Sequence, residues 1–221
     1  MNQVYASAQN QVSALQANRV LRNTYMLLSM TLLFSALMAA VAMNMNWPYL
    51  GPWVTLGGYF ALLFLTNALR NSAWGIASVF ALTGFMGATL GPILNFYVAA
   101  IPNGDQLIMT ALGGTGIVFL AMSGIALTSK RDFSFLGKFL FVGILVAFLG
   151  GLGALFFEIP ALSMAVSAMF ILLMAGLILW QTQQIVRGGE TNYIMATVTL
   201  YISIYNLFTS LLHLLGIFGD D

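Results

Sequence analysis

The sequence predicts an all-α membrane protein: seven transmembrane helices in one bundle, with the N-terminus cytoplasmic and the C-terminus on the outer side. Three observations carry that expectation. Of the 221 residues, 60% are hydrophobic and 6% charged, against roughly 25% charged in an ordinary soluble domain. Seven apolar stretches (24–43, 51–69, 73–100, 107–128, 135–156, 161–183 and 193–216) match the ~20 residues a helix needs to cross hydrocarbon. All seven basic residues fall in or at the edge of alternate gaps between those stretches. Arg19 and Arg22 precede the first stretch and Arg70 follows the second. Lys130, Arg131 and Lys138 follow the fourth, and Arg187 follows the sixth. The intervening gaps hold Asp105 and Glu158, and Asp220 and Asp221 close the chain. Lysine and arginine beside a span resist crossing the bilayer, so this alternation sets the orientation as well as the number of crossings.

Residues 1–23 read as a cytoplasmic N-terminal tail. Residues 1–18 carry no charged side chain and are rich in Gln, Asn, Ser and Ala. Val4, Ala8, Val12 and Leu15 recur at helical spacing, so the tail is either a weak amphipathic helix or a plain polar extension. The first span lacks a short apolar core followed by a small-residue cleavage site. It reads as a retained helix, not a removed signal peptide. Residues 24–216 form the membrane domain, and 217–221 a short acidic C-terminal tail. The spans leave no room for a soluble catalytic domain.

The third stretch exceeds one straight crossing, and Pro92 within it cannot donate a backbone hydrogen bond. It is expected to kink or end that helix near the outer surface. Pro48, Pro52, Pro102 and Pro160 fall toward the same side. In the fourth and fifth spans the glycines Gly113, Gly114, Gly116, Gly150, Gly151 and Gly153 join Gly84, Gly87 and Gly91 of the third. They are expected to let helices approach closely. None of these runs is followed by the Lys-Ser/Thr of a phosphate-binding loop.

The sixth helix ends in LWQTQQIVRGG, with Gln181 and Gln184 on one face. On the seventh, Thr199, Ser203, Asn206, Ser210 and His213 follow at steps of four, three, four and three, which also places them on one face. Such a stripe turns toward the bundle interior. It serves either interhelical hydrogen bonding or a polar cavity, and Gln181 and Ser203 fall at similar depth. A serine mechanism is excluded by depth. Ser123 in AMSG is similar to a rhomboid-type GxSG. It lies near the inner end of the fourth helix, whereas His213 lies near the outer end of the seventh, a difference of roughly 20 Å at 1.5 Å per residue. Cysteine is absent, which excludes disulfides and thiolate chemistry. Glu158, in FFEIP at the outer boundary, reads as a surface residue. No constellation supports catalysis, a cofactor or a metal. A net charge of +1 gives nucleic-acid binding no electrostatic basis.

The run RGGETNYIMATVTLYISIYNLFTSLLHLLG, with VLRNTYMLLSMTLLFSA near the start, resembles the Bax inhibitor-1 family, in its YccA-like bacterial branch. LGPILNFY, ALGGTGIVF and FSFLGKF extend the match from about Arg19 onward. The resemblance implies a seven-helix fold in the bacterial inner membrane, with a periplasmic C-terminus. It also implies a non-enzymatic protein that binds and modulates the membrane AAA protease FtsH, inhibiting it or competing for it, with the N-terminal tail as the engaged element. The family's other implied activity is a pH-sensitive calcium leak, gated by an aspartate pair on the sixth and seventh helices. Carried onto this chain, that pair falls at Gln181 and Ser203. The second helix has Gly57 and Gly58 near the position of the channel branch's buried glutamate. Amide and hydroxyl groups do not titrate near neutral pH and are poor calcium ligands next to carboxylates. An ion or small-solute pathway lined by Gln181, Thr199, Ser203 and Asn206 is the alternative expectation, without the pH latch.

Overall fold

The structure, a computed structural model, describes residues 2–218, with side chains from residue 15 onward. Seven helices follow in order: α1 (Asn2–Asn44), α2 (Gly51–Leu69), α3 (Trp74–Ala100), α4 (Gly104–Thr128), α5 (Leu136–Phe157), α6 (Pro160–Val186) and α7 (Tyr193–Phe218). All seven are long and apolar enough to cross a membrane, α1 being counted from Leu15. Leu33, Phe64, Leu120, Phe141 and Leu172 stand largely exposed on them. A protein in water does not display so many large apolar side chains at once, and lipid is the solvent that suits them. Asp220 and Asp221 of the expected acidic tail lie outside the described residues.

The helix starts and stops follow local chemistry. Pro52 stands in the first turn of α2, where its missing N–H has no partner to lose. Asn103 takes a left-handed conformation (φ 62°) ahead of α4, and Asp105 lies in that helix's first turn, where a carboxylate complements the helix dipole. Glu158 ends α5 in the left-handed region (φ 51°), its N–H donating to Ala154 O. Ile159 N donates to the same carbonyl, and Pro160 opens the next helix. Glu158 is exposed, as the sequence suggests. Pro92 does not end α3: the helix runs on to Ala100. Neighbouring helices in a membrane domain absorb the hydrogen bond a proline forfeits.

The chain forms two compact units. The first comprises residues 1–97 and 185–201, so it holds α1, α2, most of α3 and the beginning of α7. Within it α3 lies against α1 along three glycines one helical turn apart. A Cβ at Gly84 would sit 2.7 Å from the Phe34 ring, one at Gly87 would overlap the Ser35 carbonyl, and one at Gly91 would come within 2.9 Å of Ala39 O. The backbones are therefore in near contact, the arrangement small residues permit in lipid. Tyr201, on α7, ties both helices together. Its hydroxyl lies 2.6 Å from Ser35 Oγ and donates to Thr83 O at 3.2 Å. A carbonyl cannot donate, so Tyr201 gives its proton to Thr83 and the Ser35 hydroxyl donates to Tyr201. Asn95 Nδ2 donates to Met43 O at 2.9 Å near the far end of the same pair of helices.

The second unit comprises residues 98–184 and 202–221: α4, α5, nearly all of α6 and the remainder of α7. Here α5 and α6 approach closely. A Cβ at Gly137 would meet the Trp180 indole at 2.9 Å, one at Gly143 the Leu173 side chain at 2.6 Å, and one at Gly176 the Leu140 side chain at 2.9 Å. The fourth helix differs. Gly113, Gly116 and Gly124 have no atom within 4 Å of a built Cβ, and Gly114 has ordinary contact with Leu211 alone. The expectation of close packing at the glycine runs therefore holds for α3 and fails for most of the run in α4. Gly150 makes a tight contact with Val166, whereas Gly151 and Gly153 make ordinary ones.

Candidate functional site

The polar stripe of α7 is largely turned inward. Ser203 is 0% exposed and Ser210 is buried, while Thr199, Asn206 and His213 are partly buried. Asn206 Nδ2 donates to Ile202 O at 2.9 Å, which satisfies its amide locally. On α6 Gln181 is 3% exposed, and its Nε2 has no hydrogen-bond partner. Gln181 and Ser203 thus both sit in the interior of the second unit.

The glutamine that makes hydrogen bonds is a different one. Gln183, 1% exposed, reaches the loop between α4 and α5. Its Oε1 accepts from Phe133 N at 2.7 Å and its Nε2 donates to Arg131 O at 2.7 Å. One side-chain amide therefore completes both halves of the pairing that a neighbouring strand would offer that loop. Helical periodicity singled out Gln181 and Gln184. It passed over Gln183, because nothing within α6 reveals that a loop backbone lies opposite.

His213 has partners the sequence reading missed. Its Nδ1 lies 2.9 Å from Ser167 Oγ, and its Nε2 lies 3.5 Å from Ser163 Oγ. Both serines belong to α6, one turn apart, a spacing legible in the sequence. Ser123 is buried with its hydroxyl unpartnered. The histidine is engaged by Ser163 and Ser167.

A second amide organises the first unit. Asn192 Oδ1 accepts from Ile194 N (3.0 Å) and Met195 N (3.1 Å), capping α7. Its Nδ2 donates to Arg70 O (3.1 Å) and Asn71 Oδ1 (2.9 Å) in the α2–α3 loop. Nearby, Thr197 Oγ1 donates to Thr24 O at 3.3 Å, and Thr24 is fully buried. These contacts fix α1 to the start of α7 just beyond the expected tail. N-terminal to that anchor the backbone remains helical back to Asn2. The segment read as a tail is thus continuous with the first span. At 1.5 Å per residue, the 43 residues of α1 extend roughly 64 Å, about twice a ~30 Å hydrocarbon core.

The basic residues Arg19, Arg22, Arg70, Lys130, Arg131, Lys138 and Arg187 are all exposed. Arg70 caps α2, Lys130 and Arg131 follow α4, Lys138 lies in the first turn of α5, and Arg187 follows α6. Among the described residues no group of three or more His, Asp or Glu is placed to hold a metal ion.

Comparison with known proteins bears on these features. A family model described as "Inhibitor of apoptosis-promoting Bax1" matches residues 17–220. A protein of Escherichia coli K12 named "Modulator of FtsH protease YccA" is 48% identical over 221 residues, covering 100% of both chains. An uncharacterised protein of Pseudomonas aeruginosa is 52% identical over 206 residues, covering 93% of this chain and 92% of its own. A membrane protein of Vibrio cholerae is 46% identical over 209 residues, covering 94% and 93%.

Proposed function

The chain belongs to the Bax inhibitor-1 family as a multi-pass inner-membrane protein, and we propose that it binds and modulates the membrane protease FtsH through its N-terminal segment. The observation that carries this reading is the full-length match to a relative named as that protease's modulator, because the aligned region includes the N-terminal segment itself. The names of the family and of that relative point to a modulator, not an enzyme.

The physical features support the same reading. Segregation of the basic residues favours a cytoplasmic N-terminus and a periplasmic C-terminus, so the part of α1 that exceeds the bilayer thickness stands in the cytoplasm. Residues 1–18 carry no charge, and Ala17 and Thr24, near the base of the segment, are buried. An uncharged helical extension, fixed at its base, suits the role of a handle for an ATPase. The test is capture of FtsH from solubilised native membranes. The full chain is expected to retain the protease. A chain lacking residues 2–14 is expected to lose it while its membrane domain melts at an unchanged temperature. Undiminished capture by the shortened chain would sink the proposal.

A second reading, a small-solute pathway lined by Gln181, Thr199, Ser203 and Asn206, has one observation in its favour. The Gln181 amide nitrogen is buried without a partner, a group that water or a hydrated solute would satisfy. Reconstituted vesicles should then show flux that Ser203→Trp blocks; flux that is absent, or indifferent to that change, rejects the pathway.

A further inference from the structure

We propose that the segment from Ser129 to Phe139 docks the headgroup of an anionic phospholipid at the end of α4 and α5. Lys130, Arg131 and Lys138 are exposed there. Beside them Phe135 is 71% exposed and Phe139 67% exposed. Phe135, Lys138 and Phe139 lie three and four residues apart at the start of α5, so a cation and two phenyl rings share one side of its first turn. A phosphate-bearing headgroup matches the cations, and its acyl chains match the rings. Inorganic phosphate matches the first and has no use for the second.

The loop is also held in one shape, a second feature that a simple charged connection does not need. Gln183, itself buried, engages Arg131 O with its amide nitrogen and Phe133 N with its amide oxygen. Asp132, the one acidic side chain of the segment, accepts from Ser134 N at 2.8 Å. Ser129 Oγ accepts from Arg131 N at 3.2 Å, and Phe133 O accepts from Leu136 N at 2.9 Å. Cations presented on a preformed backbone lose little conformational freedom on binding, so more of their attraction appears as affinity. Juxtamembrane basic residues attract anionic lipid by about fivefold each. The inference does not depend on the protease reading.

The experiment is native mass spectrometry of the full chain released from micelles containing phosphatidylglycerol and phosphatidylcholine in equal amounts. The chain is expected to retain phosphatidylglycerol in preference. The double variant Lys130→Gln/Lys138→Gln should lower that preference roughly tenfold or more. Arg19→Gln/Arg22→Gln, which removes the same charge beside α1 and away from the loop, should lower it clearly less. Phe135→Ala/Phe139→Ala should weaken phosphatidylglycerol retention, and millimolar inorganic phosphate should not compete. Equal losses in the two charge variants would reduce the effect to overall charge and overturn the proposal. So would competition by phosphate, or a loop variant that loses a protein partner while its lipid preference stays intact.

Discussion

Gly87→Ala is expected to destabilise the protein by about 2–6 kcal/mol, reaching the upper end of what single substitutions do. The added methyl would occupy the space of the Ser35 carbonyl on α1. Its obstacle is backbone and not the flexible end of a side chain, so α1 and α3 must separate. Overpacking of this kind costs about 1–3 kcal/mol. Separation also draws Ser35 away from the Tyr201 hydroxyl, 1% exposed, which bridges Ser35 and Thr83. A buried hydroxyl stripped of a partner costs about 1–3 kcal/mol more. In a chain of this size the combined loss lowers the melting temperature by roughly 10 °C, measurable on the detergent-solubilised protein. Gly113→Ala, at a position with nothing within 4 Å of a built Cβ, should change stability by no more than about 0.5 kcal/mol. Equal effects from the two substitutions would show that α3 does not lie against α1 as described.

The second large effect is expected at Gln183. Gln183→Leu keeps the volume nearly constant and removes both bonds to the α4–α5 loop, leaving Phe133 N–H and Arg131 C=O without their partner. Each such loss costs about 1–3 kcal/mol. Water recovers part of that cost once the loop lifts, since Arg131 is exposed and Phe133 partly so. A net loss of about 2–4 kcal/mol follows, concentrated locally because these contacts belong to the loop and not to the helix core. Trypsin cleavage after Lys130 and Arg131 should then accelerate roughly tenfold or more, as the open form becomes more populated. Cleavage at Arg70, whose backbone carbonyl accepts from Asn192 instead, should not change. Uniform acceleration at both places would mean global destabilisation and contradict a local clamp.

The helices were readable in the sequence to within a few residues at most of their ends, because lipid imposes a demand that soluble cores do not. About 20 consecutive residues must be apolar, and a second span cannot borrow them. The 51–69 stretch and α2 coincide; the other helices depart from their stretches by no more than three residues at either end, except that α1 begins at Asn2, 22 residues ahead of its stretch. The inward turn of the α7 stripe was readable too. Thr, Ser and Asn at helical spacing have one economical direction in a bilayer, and Ser203 and Ser210 are indeed buried.

What stayed hidden was pairing between elements. Ser167 with His213, and Gln183 with Arg131 and Phe133, are matches across about fifty residues of chain, and no periodicity within one helix encodes them. The glycines teach the same lesson. Gly84, Gly87 and Gly91 look much like Gly113, Gly114 and Gly116 in composition, yet the first set lies against a neighbouring helix while Gly113 and Gly116 face open space. A small residue permits an approach; whether a helix makes it depends on what lies opposite. At the N-terminus the alternatives were a weak amphipathic helix and a plain polar extension. The backbone is helical from Asn2, though its side chains before Leu15 lie outside the described residues.

Modulation of the protease through that N-terminal segment is tested most directly by FtsH reconstituted in liposomes with a membrane substrate, with this chain present or absent. The full chain is predicted to slow degradation of the substrate, and the chain lacking residues 2–14 to leave it at the rate of protease alone. Equal slowing by both chains would contradict engagement through the N-terminal segment, and an unchanged rate with the full chain would contradict modulation itself.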